Sequence, residues 1–172
     1  MIDNKNPECV FLNPGEIAFG EAPLTIATLL GSCVSATLWH PEKKIGGMCH
    51  ILLPEKPGSE HDTKVASGAV YYFIRAMRKY NTIAPDYEVR LYGGGNMFPH
   101  IKRSAKMDVG NRNILMMRQI LMQTGFRLRK GLDEVGGNDY RRLTLDVSTG
   151  KVILKSTTVM QNENLMKGIN NV

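Results

Sequence analysis

The sequence predicts an α+β fold, namely a single-domain layered α/β sandwich with mainly antiparallel strands and two long amphipathic helices. Two segments repeat apolar side chains at helical spacing, and several shorter apolar or alternating runs are separated by glycine or proline turns. No repeat and no linker divides the 172 residues, and a chain of this length buries a full hydrophobic core. We therefore predict one domain over residues 1–172, whose apolar faces are buried between layers.

The first three predicted strands lie in the N-terminal third of the chain. Asn13-Pro14-Gly15 is a turn signal, and residues 25–30 follow it as a short, mostly apolar strand. Two further strands, 34–39 and 45–53, flank the segment His40-Pro41-Glu42-Lys43. Strands this close in sequence usually pair with each other, so they are predicted to form a hairpin.

Two helices are predicted, over residues 65–80 and 111–124. Asp108 is the predicted N-cap of the second helix, because a carboxylate there accepts hydrogen bonds from the free N–H groups of the first turn. Gly125 is typical of the position just past a helix end. The apolar stripe of the first helix is Val65, Ala69, Phe73, Ala76 and Tyr80, and that of the second is Ile114, Met117 and Leu121.

The remaining strands flank and follow the second helix. Residues 88–92 alternate in polarity and run into Gly93-Gly94-Gly95, which predicts a strand that ends in a glycine corner. A further strand is predicted at 126–130. Two alternating runs, 143–147 and 152–154, are predicted to form a hairpin around a glycine-containing turn.

Composition and charge indicate the compartment of the protein and the class of partner it binds. The N-terminus has no signal-peptide pattern, no window approaches the ~18 apolar residues of a membrane span, and three cysteines do not make a disulfide framework. We expect a cytoplasmic protein without membrane insertion. The net charge of +6 favours acidic partners, but basic and aromatic residues are not interleaved, so nucleic-acid binding is not expected. The polar segment 157–172 is interpreted as a flexible or docking tail.

The register of the first hairpin determines which residue lies opposite Cys33. With a four-residue loop at 40–43, one face of the hairpin is apolar throughout and the other is mixed, and a slip by one residue would scramble both faces. This register places Cys33 opposite His50 on the mixed face, where directly opposed Cβ atoms are about 4.5–5.5 Å apart. Cys49 points to the apolar face and is expected to behave as a small hydrophobic residue.

A cysteine next to a histidine is a candidate nucleophile. A free thiol titrates near 8.5, and an adjacent imidazole can accept its proton as the sulfur attacks. Gly31 and Ser32 precede Cys33 and allow a tight turn, whose peptide N–H groups can stabilise an oxyanion. The alternatives are an inert buried thiol, or a zinc site built from Cys33, Cys49, His40 and His50. Zinc is disfavoured, because there is no C-x-x-C pair and the two cysteines face opposite ways. No metal is expected.

Several ordered motifs extend this pattern along the chain. L-G-S-C-V at 30–34 is followed by G-G-M-C-H-I-L-L-P at 46–54 and L-Y-G-G-G-N-M-F at 91–98. V-G-N-R-N at 109–113 and E-V-G-G-N-D-Y-R at 134–141 come next. Together these motifs resemble the CheD family of chemoreceptor glutamine deamidases over roughly residues 12–156. Glycine replaces the family's usual alanine in the third motif, and glutamate replaces aspartate at the start of the last.

The resemblance implies an enzyme, a protein-glutamine glutaminase of the cysteine-dependent amidohydrolase type. Such an enzyme converts specific glutamines of methyl-accepting chemotaxis receptors to glutamate and releases ammonia. Cys33 matches the family's nucleophile and His50 its base. The third catalytic residue is a threonine shortly before the cysteine, for which Thr28 is the best match and Thr25 the alternative. No metal or organic cofactor is implied.

The resemblance also implies a second kind of partner, a CheC-type chemotaxis phosphatase. The alternative function is therefore a non-catalytic regulator that keeps the fold and binds such a phosphatase. A different thiol enzyme, such as a cysteine protease or an acyl transferase, is a further alternative. Cys33→Ala distinguishes an enzyme from a pure regulator, because only the enzyme needs the sulfur.

Overall fold

The structure, a computed structural model, describes residues 8–53, 55, 58–97, 108–128 and 133–158. These residues form nine strands, two α-helices and one short 3₁₀ turn, Ala84–Asp86. The strands are β1 (Glu8–Leu12), β2 (Ile17–Glu21), β3 (Leu24–Leu30), β4 (Val34–His40), β5 (Ile45–Cys49), β6 (Glu88–Gly93), β7 (Glu134–Val135), β8 (Asp139–Asp146) and β9 (Lys151–Thr158). The helices are α1 (Ala66–Lys79) and α2 (Val109–Gln123).

The strands form two sheets. One has four strands in the order β1-β3-β8-β9, and the other has five in the order β2-β5-β4-β6-β7. Of the pairings between these strands, β1–β3 and β6–β7 are parallel and the rest are antiparallel. The predicted α+β architecture with mainly antiparallel strands is confirmed.

Two hydrophobic cores separate three layers. Side chains alternate across a strand, so β4 and β5 send Val34 and Cys49 towards the helices and Met48 towards the four-stranded sheet. The core under the helices includes Phe73 of α1 and Met117 of α2, both fully buried. The five-stranded sheet is therefore the middle layer, with helices on one face and the four-stranded sheet on the other.

Both predicted helices are present, with ends that differ from the predicted bounds by two residues or fewer. The predicted cap of α2 is confirmed, because the Asp108 carboxylate accepts a hydrogen bond from the Asn111 N–H at 3.0 Å. Neither described helix is both long and apolar enough to span a bilayer.

The strands differ from prediction mainly near the N-terminus, where β1 and β2 were not expected, and at the two-residue β7. In the predicted strand 126–130, Leu128 forms a single bridge with Val89, and residues 129 and 130 lie outside the described residues. The predicted tail starts inside β9, which continues to Thr158. The rest of it, 159–172, also lies outside the described residues.

Candidate active site

The hairpin of β4 and β5 places Cys33 and His50 on the same face of the five-stranded sheet, but its register differs by two residues from the prediction. His40 pairs with Ile45, and the isolated bridge between Val34 and Ile51 keeps the same register. The loop is therefore 41–44, and Lys44 adopts a left-handed φ of 50° while its N–H donates to the His40 carbonyl. Because the shift is even, every side chain keeps its predicted face.

This correction changes which residue lies opposite His50. In the observed register Ser35 is the direct partner, and Cys33 lies one diagonal step away, where Cα atoms are about 7–8 Å apart. The predicted direct opposition of Cys33 and His50 is wrong, whereas their shared face is confirmed. In the described part of the chain, the Nε2 atom of His50 is buried and has no hydrogen-bond partner.

His50 is held from the opposite sheet by Thr28. The Oγ1 atom of Thr28 lies 2.7 Å from Nδ1 of His50, and the same hydroxyl donates to the Leu12 carbonyl at 2.9 Å. A hydroxyl has a single proton. Because that proton is directed to Leu12, the Nδ1 atom must donate to Thr28, and Nε2 is then the unprotonated, basic nitrogen of the neutral ring.

The alternative threonine lies elsewhere. Thr25 is half-buried and pairs with Cys9 and Asp146 in the four-stranded sheet. Thr28 is three positions after Thr25, and side chains alternate along a strand, so the two side chains point to opposite faces of β3. The structure therefore brings Thr28, and not Thr25, into contact with His50.

Burial keeps both candidate groups neutral at rest. The pKa of His50 is lowered from 6.5 by burial, which the Leu12 carbonyl and the Glu16 carboxylate partly oppose. The pKa of Cys33 is raised from 9.0 by burial, which its own peptide N–H partly opposes. Near pH 7 the free protein consequently holds a thiol and a neutral imidazole rather than a preformed ion pair.

The Cys33 loop is held in place by Gly93, the last residue of β6, and by the two glycines that follow it. Gly95 donates its N–H to the Gly31 carbonyl at 2.9 Å, and Gly94 donates to the Cys33 carbonyl at 2.7 Å. Gly93 has a φ of 98°, and a Cβ at this position would collide with the Cys33 carbonyl. Only glycine combines this backbone conformation with such a close approach.

The N–H groups of Ser32 and Cys33 differ from those of Gly94 and Gly95, which donate to carbonyls of the loop. Among the described residues, neither the Ser32 nor the Cys33 N–H donates to a backbone carbonyl. The N–H of Cys33 lies beside its own sulfur. The Cys33 N–H is therefore a candidate donor to a negative charge that develops next to that sulfur.

Known proteins match this chain over most of its length. The profile of a family described as CheD chemotactic sensory transduction matches residues 52–156, just after His50. A relative from Dechloromonas aromatica, named probable chemoreceptor glutamine deamidase CheD 3, is 43% identical over 148 residues, which cover 84% of this chain and 85% of the relative. This chain belongs to the CheD family.

Two other CheD relatives match at similar coverage. A probable chemoreceptor glutamine deamidase CheD 1 from Chromobacterium violaceum is 37% identical over 153 residues, covering 87% of this chain and 78% of the relative. A probable chemoreceptor glutamine deamidase CheD from Pseudomonas fluorescens is 36% identical over 146 residues, covering 83% and 81%. The resemblance predicted from the motifs is confirmed.

The second cysteine of the hairpin in this CheD protein has another environment. Cys49 is fully buried on the helix side of the sheet, and burial raises the pKa of its thiol to about 12, although the Ala36 N–H donates to its sulfur. Cys33 and Cys49 thus face opposite ways, as predicted. Within the described ranges no three His, Cys, Asp or Glu side chains cluster as metal ligands would.

Two features of the site were not predicted from the residues alone. The Leu12 carbonyl that accepts from the Thr28 hydroxyl belongs to β1, a strand that was not predicted. Arg141, noted only within a family motif, is buried beside Leu30 and donates through Nη2 to the Gly136 carbonyl at 2.7 Å. Its Nη1 has no partner in the described structure.

Proposed function

We propose that this CheD protein is a protein-glutamine deamidase acting on methyl-accepting chemotaxis receptors, with Cys33 as nucleophile and His50 as general base. The names of its relatives state chemoreceptor glutamine deamidation. The observation that carries the proposed roles is the Thr28–His50 hydrogen bond. Because it occupies Nδ1, it leaves Nε2 as the base on the sheet face that also bears Cys33.

The first half of the reaction forms a thioester. The Cys33 sulfur attacks the carboxamide carbon of a receptor glutamine as its proton passes to Nε2 of His50. The N–H groups of Ser32 and Cys33 stabilise the negative charge on the tetrahedral oxygen. The C–N bond then breaks, and protonated His50 returns the proton to the departing nitrogen, so ammonia leaves.

The second half hydrolyses the thioester. Nε2 of His50 takes a proton from a water molecule whose oxygen attacks the thioester carbon. The C–S bond breaks, the sulfur recovers a proton, and the side chain leaves as glutamate. The net reaction consumes one water and produces one carboxylate and one ammonium, and neither half requires a metal or an organic cofactor.

Thr28 acts as a positioning residue in this scheme. Its hydroxyl accepts from Nδ1 and donates to the Leu12 carbonyl, so the ring can neither flip nor change tautomer without losing a buried hydrogen bond. When His50 becomes protonated, the Nδ1 hydrogen bond remains and the nearby Leu12 carbonyl favours the imidazolium.

Activity on intact receptor fragments tests the proposal. Purified protein is incubated with receptor cytoplasmic fragments, and the products are analysed by intact-mass and peptide mass spectrometry together with an ammonia assay. We expect matching amounts of ammonia and of glutamine converted to glutamate, lost in Cys33→Ala and retained in Cys49→Ala. Peptide cleavage or crosslinking in place of deamidation would identify a different thiol enzyme.

The regulator alternative, in which the chain binds a CheC-type phosphatase without catalysis, is tested by the same Cys33→Ala variant. A deamidase loses ammonia release with this substitution. A protein that acted only by contact would show no ammonia release before the substitution and an unchanged effect on the phosphatase after it.

A further inference from the structure

A cleft lies on the outer side of α1, away from Cys33 and His50. It has a volume of about 450 Å³, which is in the range of ligand pockets. Because α1 covers the helix-side face of the five-stranded sheet, this cleft and the candidate active site are on different sides of that sheet. Its walls include His61, Thr63, Tyr71, Tyr72, Arg75 and Lys79.

The cleft exists because the chain crosses α1 closely at Gly68. A Cβ at Gly68 would collide with the Asp62 backbone, so only glycine allows the segment before the helix to lie against it. Thr63 anchors that segment by donating its hydroxyl to the Gly15 carbonyl at 2.6 Å. The N–H of Gly15 in turn donates to the His50 carbonyl at 2.7 Å. One wall of the cleft is thus fixed to the middle of the fold.

The other wall is aromatic and exposed. Tyr71 and Tyr72 remain 43% and 40% exposed, although large aromatic side chains usually gain from burial. The His61 ring lies 4.6 Å from the Tyr71 ring, and the Arg75 guanidinium lies 5.8 Å from the centre of the same ring. The rings and the guanidinium therefore form one ordered surface around Tyr71.

The charge of the cleft has a single sign. Arg75 and Lys79 contribute two positive charges one turn of helix apart, and none of the described lining residues is acidic. Two acidic residues are adjacent in sequence to the lining: Glu60 is exposed, and the Asp62 carboxylate accepts a hydrogen bond from the Lys64 N–H. In the described part of the chain neither Arg75 nor Lys79 forms an ion pair. A concave surface with tyrosine walls and two such positive charges is complementary to carboxylates carried next to an apolar side chain.

We propose that this cleft binds an acidic segment of another protein, with its carboxylates on Arg75 and Lys79 and an apolar side chain between Tyr71 and Tyr72. A polypeptide fits better than a nucleic-acid duplex or a lipid surface, because the positive groups line a concavity rather than a flat face. The inference concerns binding alone and does not depend on the deamidase chemistry.

Binding of a synthetic acidic peptide tests this inference. The probe is an eight-residue peptide of glutamates around two leucines, titrated into the full chain by isothermal calorimetry. Its control replaces each glutamate with serine, so that no glutamine is offered to Cys33. We expect the acidic peptide to bind and the serine peptide not to bind, and Arg75→Glu to weaken binding about tenfold.

Arg78→Glu is the matched control variant, because Arg78 is exposed on the same helix but does not line the cleft. It makes the same change in net charge, and we expect it to weaken binding less than Arg75→Glu does, because the Arg78 side chain does not line the cleft. Tyr71→Ala keeps the charge and removes a wall, and we expect it to weaken binding as well.

These outcomes distinguish binding in the cleft from general attraction of the peptide by the net charge of the protein. Equal losses in Arg75→Glu and Arg78→Glu would overturn the inference, because the net charge alone would then attract the peptide. An unchanged affinity in Tyr71→Ala would also overturn it. Tighter binding of a DNA duplex or of phosphatidylserine vesicles than of the peptide, lost in Arg75→Glu, would assign the cleft to a different partner class.

Discussion

Thr28 and His50 belong to different sheets, yet Oγ1 of the threonine lies 2.7 Å from Nδ1 of the histidine. Thr28→Val keeps the shape of the side chain and removes the hydroxyl, which leaves Nδ1 and the Leu12 carbonyl buried without that partner. We expect turnover to fall about 10- to 100-fold, as when other orienting partners of histidines are lost. The cost in folding stability is about 1–3 kcal/mol.

Two further variants separate orientation of His50 from general damage. Thr28→Ser retains the hydroxyl, so activity is expected to remain close to that of the unmodified protein. Thr25→Val alters the opposite face of β3 and is expected to leave turnover unchanged. Steady-state kinetics and thermal unfolding report both effects. Equal activity in Thr28→Val and Thr28→Ser would show that the hydroxyl does not orient the base.

The neutral resting state predicts the pH dependence of kcat/KM. His50 is a base only when it is unprotonated, and its pKa is lowered from 6.5, so activity is expected to decline only as the pH falls below 6.5. Cys33 has a pKa raised from 9.0, so no further change is expected until the pH exceeds 9.0. If the thiolate and the imidazolium were a preformed ion pair, the fall of kcat/KM at acidic pH would instead occur at about pH 4. A pH–rate profile would reveal this.

Glu16 provides a separate test of the fall of activity at acidic pH. Its carboxylate raises the pKa of His50, against the larger effect of burial. Glu16→Gln removes this charge, so the fall of activity at acidic pH is expected to occur at a still lower pH. Glu16 is exposed, and its effect is expected to disappear in about 1 M salt, where the Debye length is about 3 Å. A shift that persists in high salt would point to a structural change at the Glu16 backbone.

The three cysteines are expected to react differently with iodoacetamide. Cys9 is exposed, Cys33 is partly exposed and Cys49 is buried with a pKa of about 12. In a Cys9→Ser background we expect one equivalent of label, on Cys33, and loss of activity in proportion to labelling. Cys49 is expected to react only after denaturation. Full labelling of Cys33 with retained ammonia release would exclude it as the nucleophile.

The glycine corner is expected to be necessary for the site as well as for the fold. Gly93→Ala forces a side chain into a left-handed conformation and against the Cys33 carbonyl, so turnover is expected to be lost even in protein that stays folded. Gly125→Ala is the control, because Gly125 has a φ of 89° but its nearest neighbour, Ala84, would be 4.0 Å away. We expect it to cost about 1–2 kcal/mol of stability and to leave turnover unchanged.

The helices and most strands were predictable because their residues signal structure locally. The apolar stripe of α1 and the Asp108 cap of α2 each involve residues within a turn or two of one another. The face of each β4 residue was predictable for the same reason, since Val34, Ala36 and Leu38 alternate with Ser35 and Thr37. Local patterns of this kind survive in the fold because packing agrees with them.

The register of the β4–β5 hairpin was not predictable from the same pattern. Registers that differ by two residues leave every side chain on the same face, so hydrophobicity does not distinguish them. The observed loop depends on Lys44 in a left-handed conformation, which lysine seldom adopts. The partners of Thr28 were also hidden, because Leu12 and His50 reach it from strands that are distant in sequence.

The proposed centre is divided between the two sheets: Thr28 comes from one, His50 follows a strand of the other, and Cys33 lies on the link between them. Such a centre exists only while the sheets remain docked. In urea, ammonia production is therefore expected to cease before the circular dichroism of the helices declines. Separation of the two sheets is enough to stop the reaction, because it moves Thr28 away from His50. The rate of ammonia release would then report whether the two sheets of this protein are still packed against each other.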